Sequence, residues 1–370
     1  MFKQYKLRNY HFQLILYLCA LTVIGIMVIG SAEKSVQNKQ ILGFVLGIVI
    51  MIAISLIDYS FILRFSWLFY FGIIGLLLMV KFAGKTVGGS QRWITIAGVQ
   101  FQPSELAKIV IILFFAYYFM KNQETVNTIK IMGSSFILVG IPLMLILTQP
   151  DTSTTIMTLL IFVVLLFITG LSYKIVLSVL GVCIPIFIIG LTYVLTHGEA
   201  LAKEHYQFRR IMAWIDPSNP LYSQWALQQQ NSITAIGSGQ LWGKGLNNSV
   251  ATSMKNGNFI IEPQTDFIFA VAGEELGFIG TFAIIILLLL IVLECILIAR
   301  KAKDLSGRLI CCGMGALVGL QAFINICVAT GLMPNTGIPL PFVSYGLTSV
   351  VSLFIGMGFV LNVGLQPKKY

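Results

Sequence analysis

The sequence predicts an all-α polytopic membrane protein of about ten transmembrane helices, with a long extracellular loop between helices 7 and 8. Three observations carry that expectation. Only 10% of the 370 residues are Asp, Glu, Lys or Arg, while 57% are hydrophobic. The apolar residues fall repeatedly into runs of bilayer-crossing length, for which roughly 20 residues suffice. A mean hydropathy of +0.89 is more apolar surface than a soluble chain of this size could hide. The expected organisation is one membrane domain over 1–370 with no soluble domain appended.

The first run, Gln13 to Ala32, follows the basic start Met1-Phe-Lys-Gln-Tyr-Lys-Leu-Arg8. It is too long for an ordinary signal h-region and reads as an uncleaved span. The expected spans are 12–31, 40–57, 63–80, 104–120, 131–148, 153–169, 173–195, 266–299, 308–330 and 342–363. An even number puts both termini on one side. That side holds Lys3, Lys6, Arg8, Arg64, Lys121, Lys130, Lys174, Arg300, Lys301, Lys303, Arg308, Lys368 and Lys369 in short segments. An excess of Lys and Arg in short loops marks the cytoplasmic face. The same distribution turns the net charge of +10 away from a nucleic-acid partner and towards membrane orientation.

The opposite side owns two long connections, 81–103 and 196–265. The second is far longer than an ordinary loop, and such loops are usually functional or disordered. Its Trp214, Trp225 and Trp242 argue for ordered structure hugging the interface. The glycines at 237, 239 and 243 have the wrong spacing and context for a dinucleotide fingerprint. The six cysteines lie inside apolar runs and read as small core residues; the three histidines form no metal motif.

Charge near the centre of a span costs about 2.5–3.5 kcal/mol or more, so ionisable residues at membrane depth need a use. Asp266 follows Pro263 where the long loop becomes a helix. Two readings fit it: a carboxylate favoured by the positive end of the helix, or an acid/base group. As one helix, Asp266 to Ala299 would run about 50 Å at 1.5 Å per residue, well past a hydrocarbon core of about 30 Å. The helix must tilt, break, or begin outside the hydrocarbon. Glu274 and Glu275 favour a start outside, which puts three carboxylates near one entrance.

Glu105 and Lys108 are one turn apart at the start of the fourth span, and Asp151 enters a later span from the same side. Pairing among them and service to a phosphate are both open. Arg92 and Trp93 in the first long loop, and Arg209 and Arg210 in the second, are either interfacial anchors or donors to a lipid diphosphate with aromatic faces for sugar rings. The Pro- and Gly-rich stretch from Gly331 to Gly346 cannot be a continuous helix and reads as a rigid wall of an outer cavity.

Five segments occur in order along the chain: Gln102-Pro-Ser-Glu-Leu-Ala-Lys108, Gln149-Pro-Asp151, Ala235-Ile-Gly-Ser-Gly239, Thr265-Asp-Phe-Ile-Phe-Ala270 with Gly273-Glu-Glu-Leu-Gly277, and Gly337-Ile-Pro-Leu-Pro-Phe-Val-Ser-Tyr-Gly346. Together they resemble the SEDS family (shape, elongation, division and sporulation proteins), which includes RodA and FtsW. Gln264 stands where the family often has His, and Leu347 where it often has a second Gly. The resemblance spans essentially the whole chain. It implies an inverting peptidoglycan glycosyltransferase that polymerises lipid II outside the bacterial plasma membrane, beside a class B penicillin-binding protein that crosslinks the product. Its donor would be a glycan on undecaprenyl diphosphate. On that pattern Asp266 corresponds to the essential loop aspartate. Lys108, Arg92, Arg209, Arg210 or a divalent cation (Mg or Mn) held by the carboxylates would meet the diphosphate. The rival expectations are a lipid II flippase and a noncatalytic scaffold for cell-wall enzymes.

Overall fold

The computed structural model describes residues 10–87, 90–96, 99–204, 206–248, 253–255, 257 and 259–367. Lys3, Lys6, Arg8, Lys368 and Lys369, expected on the cytoplasmic side, lie outside the described residues, as do the side chains of Trp225 and Cys183. The helices are α1 (Phe12–Ala32), α2 (Lys34–Leu56), α3 (Tyr59–Leu63), α4 (Ser66–Ala83), α5 (Pro103–Lys121), α6 (Ile129–Leu147), α7 (Thr152–Ile168), α8 (Tyr173–Glu204), α9 (Tyr206–Ile215), α10 (Ser223–Ser238), α11 (Ile268–Lys301), α12 (Leu305–Ala329) and α13 (Leu347–Gly364). Every expected apolar run is helical. Seven helices among the described residues are long and apolar enough to cross a membrane, and α4 and α7 are shorter apolar helices.

Boundaries move where local chemistry overrides hydropathy. Helix α2 starts at Lys34, ahead of its apolar run, because the Glu33 side chain accepts the Ser35 N–H and caps it. Helix α13 starts only at Leu347, because Phe342 has a φ of 62° that a helix cannot contain. The connection 81–103 is not a plain loop. It carries an antiparallel sheet of β1 (Lys85–Val87), β2 (Ser90–Ile96) and β3 (Val99–Phe101), with Ile94 opposite Phe101.

Helix α5 lies inside the bundle, against α4, α7, α12 and α13, and is buried on nearly every side. Aromatic rings fill the space around it; Tyr70 stacks on Phe114 at 4.3 Å, with Trp67 edge-on to the same ring. Helix α2 packs along α13, and α11 along α1 and α12. Large apolar side chains such as Phe278, Phe282, Leu289 and Leu293 are exposed on α11, as expected of a surface whose solvent is lipid.

Helix α11 breaks at Gly277, where φ is 66° and ψ −164°, a conformation open to glycine. A straight helix would pair the N–H groups of Phe278 and Ile279 with the carbonyls of Glu274 and Glu275. Here the segment after α10 takes all four groups. Phe278 N–H and Ile279 N–H donate to the carbonyls of Gln240 and Leu241, and the N–H groups of Lys244 and Gly245 donate to the carbonyls of Glu274 and Glu275. The break therefore leaves none of these four backbone groups unpaired. It divides α11 into a short rod ahead of Gly277, buried from Ile268 to Glu275, and a longer membrane-length half.

Candidate active site

The two long connections and the loop 331–346 converge at one end of the bundle, around Asp266. This residue sits in the turn just ahead of the short rod, and the turn is held from three sides. Asn325 of α12 donates to the Asp266 carbonyl at 2.8 Å, the Ser344 hydroxyl to the Thr265 carbonyl at 2.7 Å, and the Tyr345 N–H to the Gln264 carbonyl at 2.8 Å. Gly337 has a φ of 73° and lies against the site. A Cβ there would stand 3.3 Å from Asp266 Oδ2 and 3.5 Å from Arg210 Nη1, so the carboxylate and the guanidinium both border this turn.

Asp266 is half-buried, and the loss of solvation pushes its pKa up to about 6. Arg210 opposes that rise, Glu262 adds to it, and smaller effects come from Arg92 (lowering) and Asp151 (raising). The result is a carboxylate ionised at neutral pH yet more basic than an ordinary aspartate, which suits a general base.

A second group of side chains borders the first. Arg92 of β2 donates through Nε to the Gln149 carbonyl at 3.2 Å and through Nη2 to the Pro150 carbonyl, and its Nη1 stands 3.7 Å from Asp151 Oδ1. Asp151 caps α7 by accepting the Thr154 N–H and takes a hydrogen bond from Gln102. The Ser153 hydroxyl donates to the Thr336 carbonyl, which joins α7 to the loop 331–346. Lys108 pairs with Glu105 at 2.7 Å, both buried, and Gln321 lies between Lys108 and the Pro339 carbonyl. No three His, Cys, Asp or Glu side chains among the described residues converge as a metal site needs.

A family model described as cell cycle protein, covering FtsW, RodA and SpoVE, matches residues 6–369. The chain belongs to this family. It is 34% identical to the peptidoglycan glycosyltransferase MrdB of Escherichia coli (strain K12) over 359 residues, 96% of this chain and 93% of that one. It is 32% identical to the probable peptidoglycan glycosyltransferase FtsW of Geobacter sp. (strain M18), covering 98% and 99%. Among solved structures it resembles a chain from a study of the structural coordination of polymerization and crosslinking by a peptidoglycan synthase complex, with a TM-score of 0.77, 25% identity and coverage of 96% and 97%. It shares the fold of the Thermus thermophilus rod shape determining protein RodA, with a TM-score of 0.70 and 24% identity over 98% of each chain.

Within this SEDS chain the structure brings Asp266, Arg210, Arg92 and Asp151 together, with Glu105 and Lys108 behind them. Trp93 is half-buried beside Arg92 on β2, on the opposite face of the strand. Arg209 turns away from its neighbour, and its Nε donates to the Ala202 carbonyl at 2.6 Å at the end of α8. Glu274 and Glu275 do not sit at a solvated entrance beside Asp266. They are fully buried at the Gly277 break, in ion pairs with Lys244 at 2.6 Å and Lys255 at 2.5 Å. The helix break explains the difference, since it turns that stretch into the bundle under the loop.

Asn325, Gln321, Glu262, Lys244 and Lys255 were not among the residues expected from the sequence, and Ser344 entered only within the segment from Gly337 to Gly346. A signal existed for two of them. Gln321 and Asn325 are one turn apart inside an apolar span and fully buried, and an uncharged polar side chain at that depth also needs a partner.

Proposed function

We propose that this protein is a peptidoglycan glycosyltransferase that polymerises lipid II at the outer face of the bacterial plasma membrane. The observation that carries the reading is Asp266, a carboxylate of raised pKa facing Arg210 across the Gly337 turn. The 4-hydroxyl of an incoming lipid II attacks the anomeric carbon of the glycan held on undecaprenyl diphosphate. Asp266 takes the hydroxyl proton as the new C–O bond forms. The bond from the anomeric carbon to the diphosphate oxygen breaks on the opposite side, which inverts the centre. Negative charge then develops on the departing diphosphate, where Arg210 and Arg92 supply compensating positive charge. Lys108, already paired with Glu105, acts by holding the loop 331–346 through Gln321 rather than by meeting the diphosphate directly.

The cation distribution supports both termini on the cytoplasmic side, which puts the Asp266 end outside, where lipid-linked substrate is polymerised. A class B penicillin-binding protein is the partner that suits this activity, and the likeness to a chain of a polymerising and crosslinking complex supports it. The test is gel-resolved polymerisation of purified lipid II by the purified protein, alone and with that partner. Wild type should make long glycan, and folded Asp266→Asn should lose at least about a hundredfold in rate, the usual worth of a general base. Equal product from both would remove Asp266 from the chemistry. No product from either, with the partner present, would favour the flippase or scaffold.

A further inference from the structure

Glu274 and Glu275 are the most deeply buried carboxylates among the described residues, and the chemistry above does not use them. Their surroundings are built. Glu274 Oε1 accepts from Lys244 Nζ at 2.6 Å and from the Met254 N–H at 2.9 Å, and Glu274 Oε2 from the Lys255 N–H at 3.3 Å. Glu275 Oε1 accepts from Lys255 Nζ and from the Ser31 hydroxyl, each at 2.5 Å, and Lys255 Nζ also reaches Ser31 Oγ at 2.8 Å. Ser31 lies in the last turn of α1, and its oxygen also accepts the Asn247 N–H at 3.0 Å. Three parts of the chain are thus pinned to one end of the short rod: the segment after α10, the 253–255 stretch and the end of α1.

Asp266 stands at the other end of the same rod. Every residue of the rod from Ile268 to Glu275 is buried, so it moves as a unit or not at all, because packed interiors transmit displacement rather than absorb it. The chain that leaves Lys255 runs on to Glu262 and then to Asp266, so Lys255 also anchors the approach to the site. We propose that the Lys244–Glu274 and Lys255–Glu275–Ser31 pairs form a buried latch that positions Asp266, with Lys255 as its chief positioning residue. The proposal rests on the reading of Asp266 as the base. The latch makes catalytic geometry depend on how the long loop is seated: with both lysines in place the carboxylates of the rod are tied to the loop by charge, and without them that end keeps its backbone pairs and the Ser31 hydroxyl but loses both ion pairs. Two charges buried as partners resist piecemeal removal, since loss of either leaves the other unpaired away from water.

The test uses the full chain in detergent or nanodiscs, as wild type, Lys255→Met, Lys255→Arg and Ser31→Ala. One readout needs no turnover: labelling of Asp266 by a hydrophobic carbodiimide, to whose central carbon a protonated carboxyl adds after handing over its proton, followed by mass spectrometry across pH. The charged groups facing Asp266 are Arg210 from α9, Arg92 from β2, Asp151 at the start of α7 and Glu262 in its own loop, and none is altered in these variants. Wild type should label with a midpoint near 6. In folded Lys255→Met the midpoint should fall towards the ordinary aspartate range as water reaches the site. In the same variant kcat should drop about tenfold to a hundredfold with little change in KM, the expected effect of a small misplacement. Lys255→Arg should restore both. If Lys255→Met does not fold, Ser31→Ala decides, since it removes the shared hydroxyl without stranding a charge, and its midpoint should move in the same direction. An unmoved midpoint in the folded Lys255→Met, or failing that in Ser31→Ala, overturns the latch. A wild type that labels as described and responds to the variants, yet never polymerises, would keep the latch and reject the polymerase.

Discussion

At neutral pH Asp266 carries a charge that its surroundings disfavour, and two consequences can be measured. The base is useful only when ionised, so the rate should fall as pH drops through about 6, with the slope of a single proton. Arg210 is the chief influence holding that pKa down. Arg210→Met should therefore move the acid limb of the pH–rate profile upward, by about one pH unit, besides slowing the reaction. Stability changes in the opposite sense to activity. The folded-state pKa of about 6 lies above the ordinary value of 3.8, so the stability contributed by the protonated form is full below 3.8 and is lost as pH rises through 6. Asp266→Asn should thus unfold at a higher temperature than wild type at pH 8, and the gap should close below about pH 4. Its size is at most about 3 kcal/mol and less to the extent that water reaches the half-buried carboxylate. The place of Asp266, between a loop and an apolar run, left a helix-end carboxylate and an acid/base group both open in the sequence, and the SEDS resemblance singled it out. Its guanidinium partner was legible only as a pair, Arg209 and Arg210. Successive residues on a helix point about 100° apart, and without the orientation of α9 nothing distinguishes the arginine that faces Asp266 from the one that braces α8.

The short rod exists because α11 breaks, and the break is tied to one residue. A Cβ at Gly277 would lie 2.3 Å from the Gly243 nitrogen, at a positive φ that side chains rarely adopt. Gly277→Ala must push the inserted segment out of the helix or straighten the helix through it. Expelling the segment strips backbone partners from Phe278, Ile279, Lys244 and Gly245, and straightening the helix strips them from Lys244, Gly245, Gln240 and Leu241. The cost should be about 2 kcal/mol or more, read by thermal unfolding, and polymerisation should fall with it. The length of the run from Asp266 to Ala299 left a tilt, a break or a start outside the hydrocarbon open, and Glu274 and Glu275 pointed to the start outside; the structure has a break instead. Its position was not legible, since it depends on which remote segment supplies the missing hydrogen bonds. That segment also buries Glu274 and Glu275, so carboxylates that read as interfacial became structural. The β1–β3 sheet was missed for a related reason. Hydropathy separates spans from connections but is silent on how a connection folds, although Gly88-Gly89 followed by the alternation of Trp93-Ile94-Thr95-Ile96 is a hairpin pattern.

Across the whole molecule, ionisable and polar groups gather at the two ends of the bundle. One end holds Asp266 and its neighbours. The other holds a tie in which Tyr59 donates to Asp304 at 2.9 Å and Lys303 to Gln366 at 2.6 Å, joining α3, the α11–α12 turn and the end of α13. This separation is why the all-α membrane architecture was legible from composition and run length alone, while contacts between loops far apart in sequence were not. It also bears on what the protein does. Transport sites usually lie at the midplane, reached alternately from both sides, whereas here the charged constellation sits at one end beside the long loop, where a lipid-linked headgroup presents itself. A polymerase acting on an outward-facing headgroup needs the Asp266 end outside, and orientation is directly testable. Trp242 is 77% exposed near the Asp266 end, and Lys301 is exposed at the opposite end. In intact cells Trp242→Cys should react with a membrane-impermeant maleimide, and Lys301→Cys should react only after permeabilisation. The reverse pattern would put the site on the cytoplasmic side, where outward-facing polymerisation is impossible and a carrier or cytoplasmic scaffold becomes the better account of the same residues.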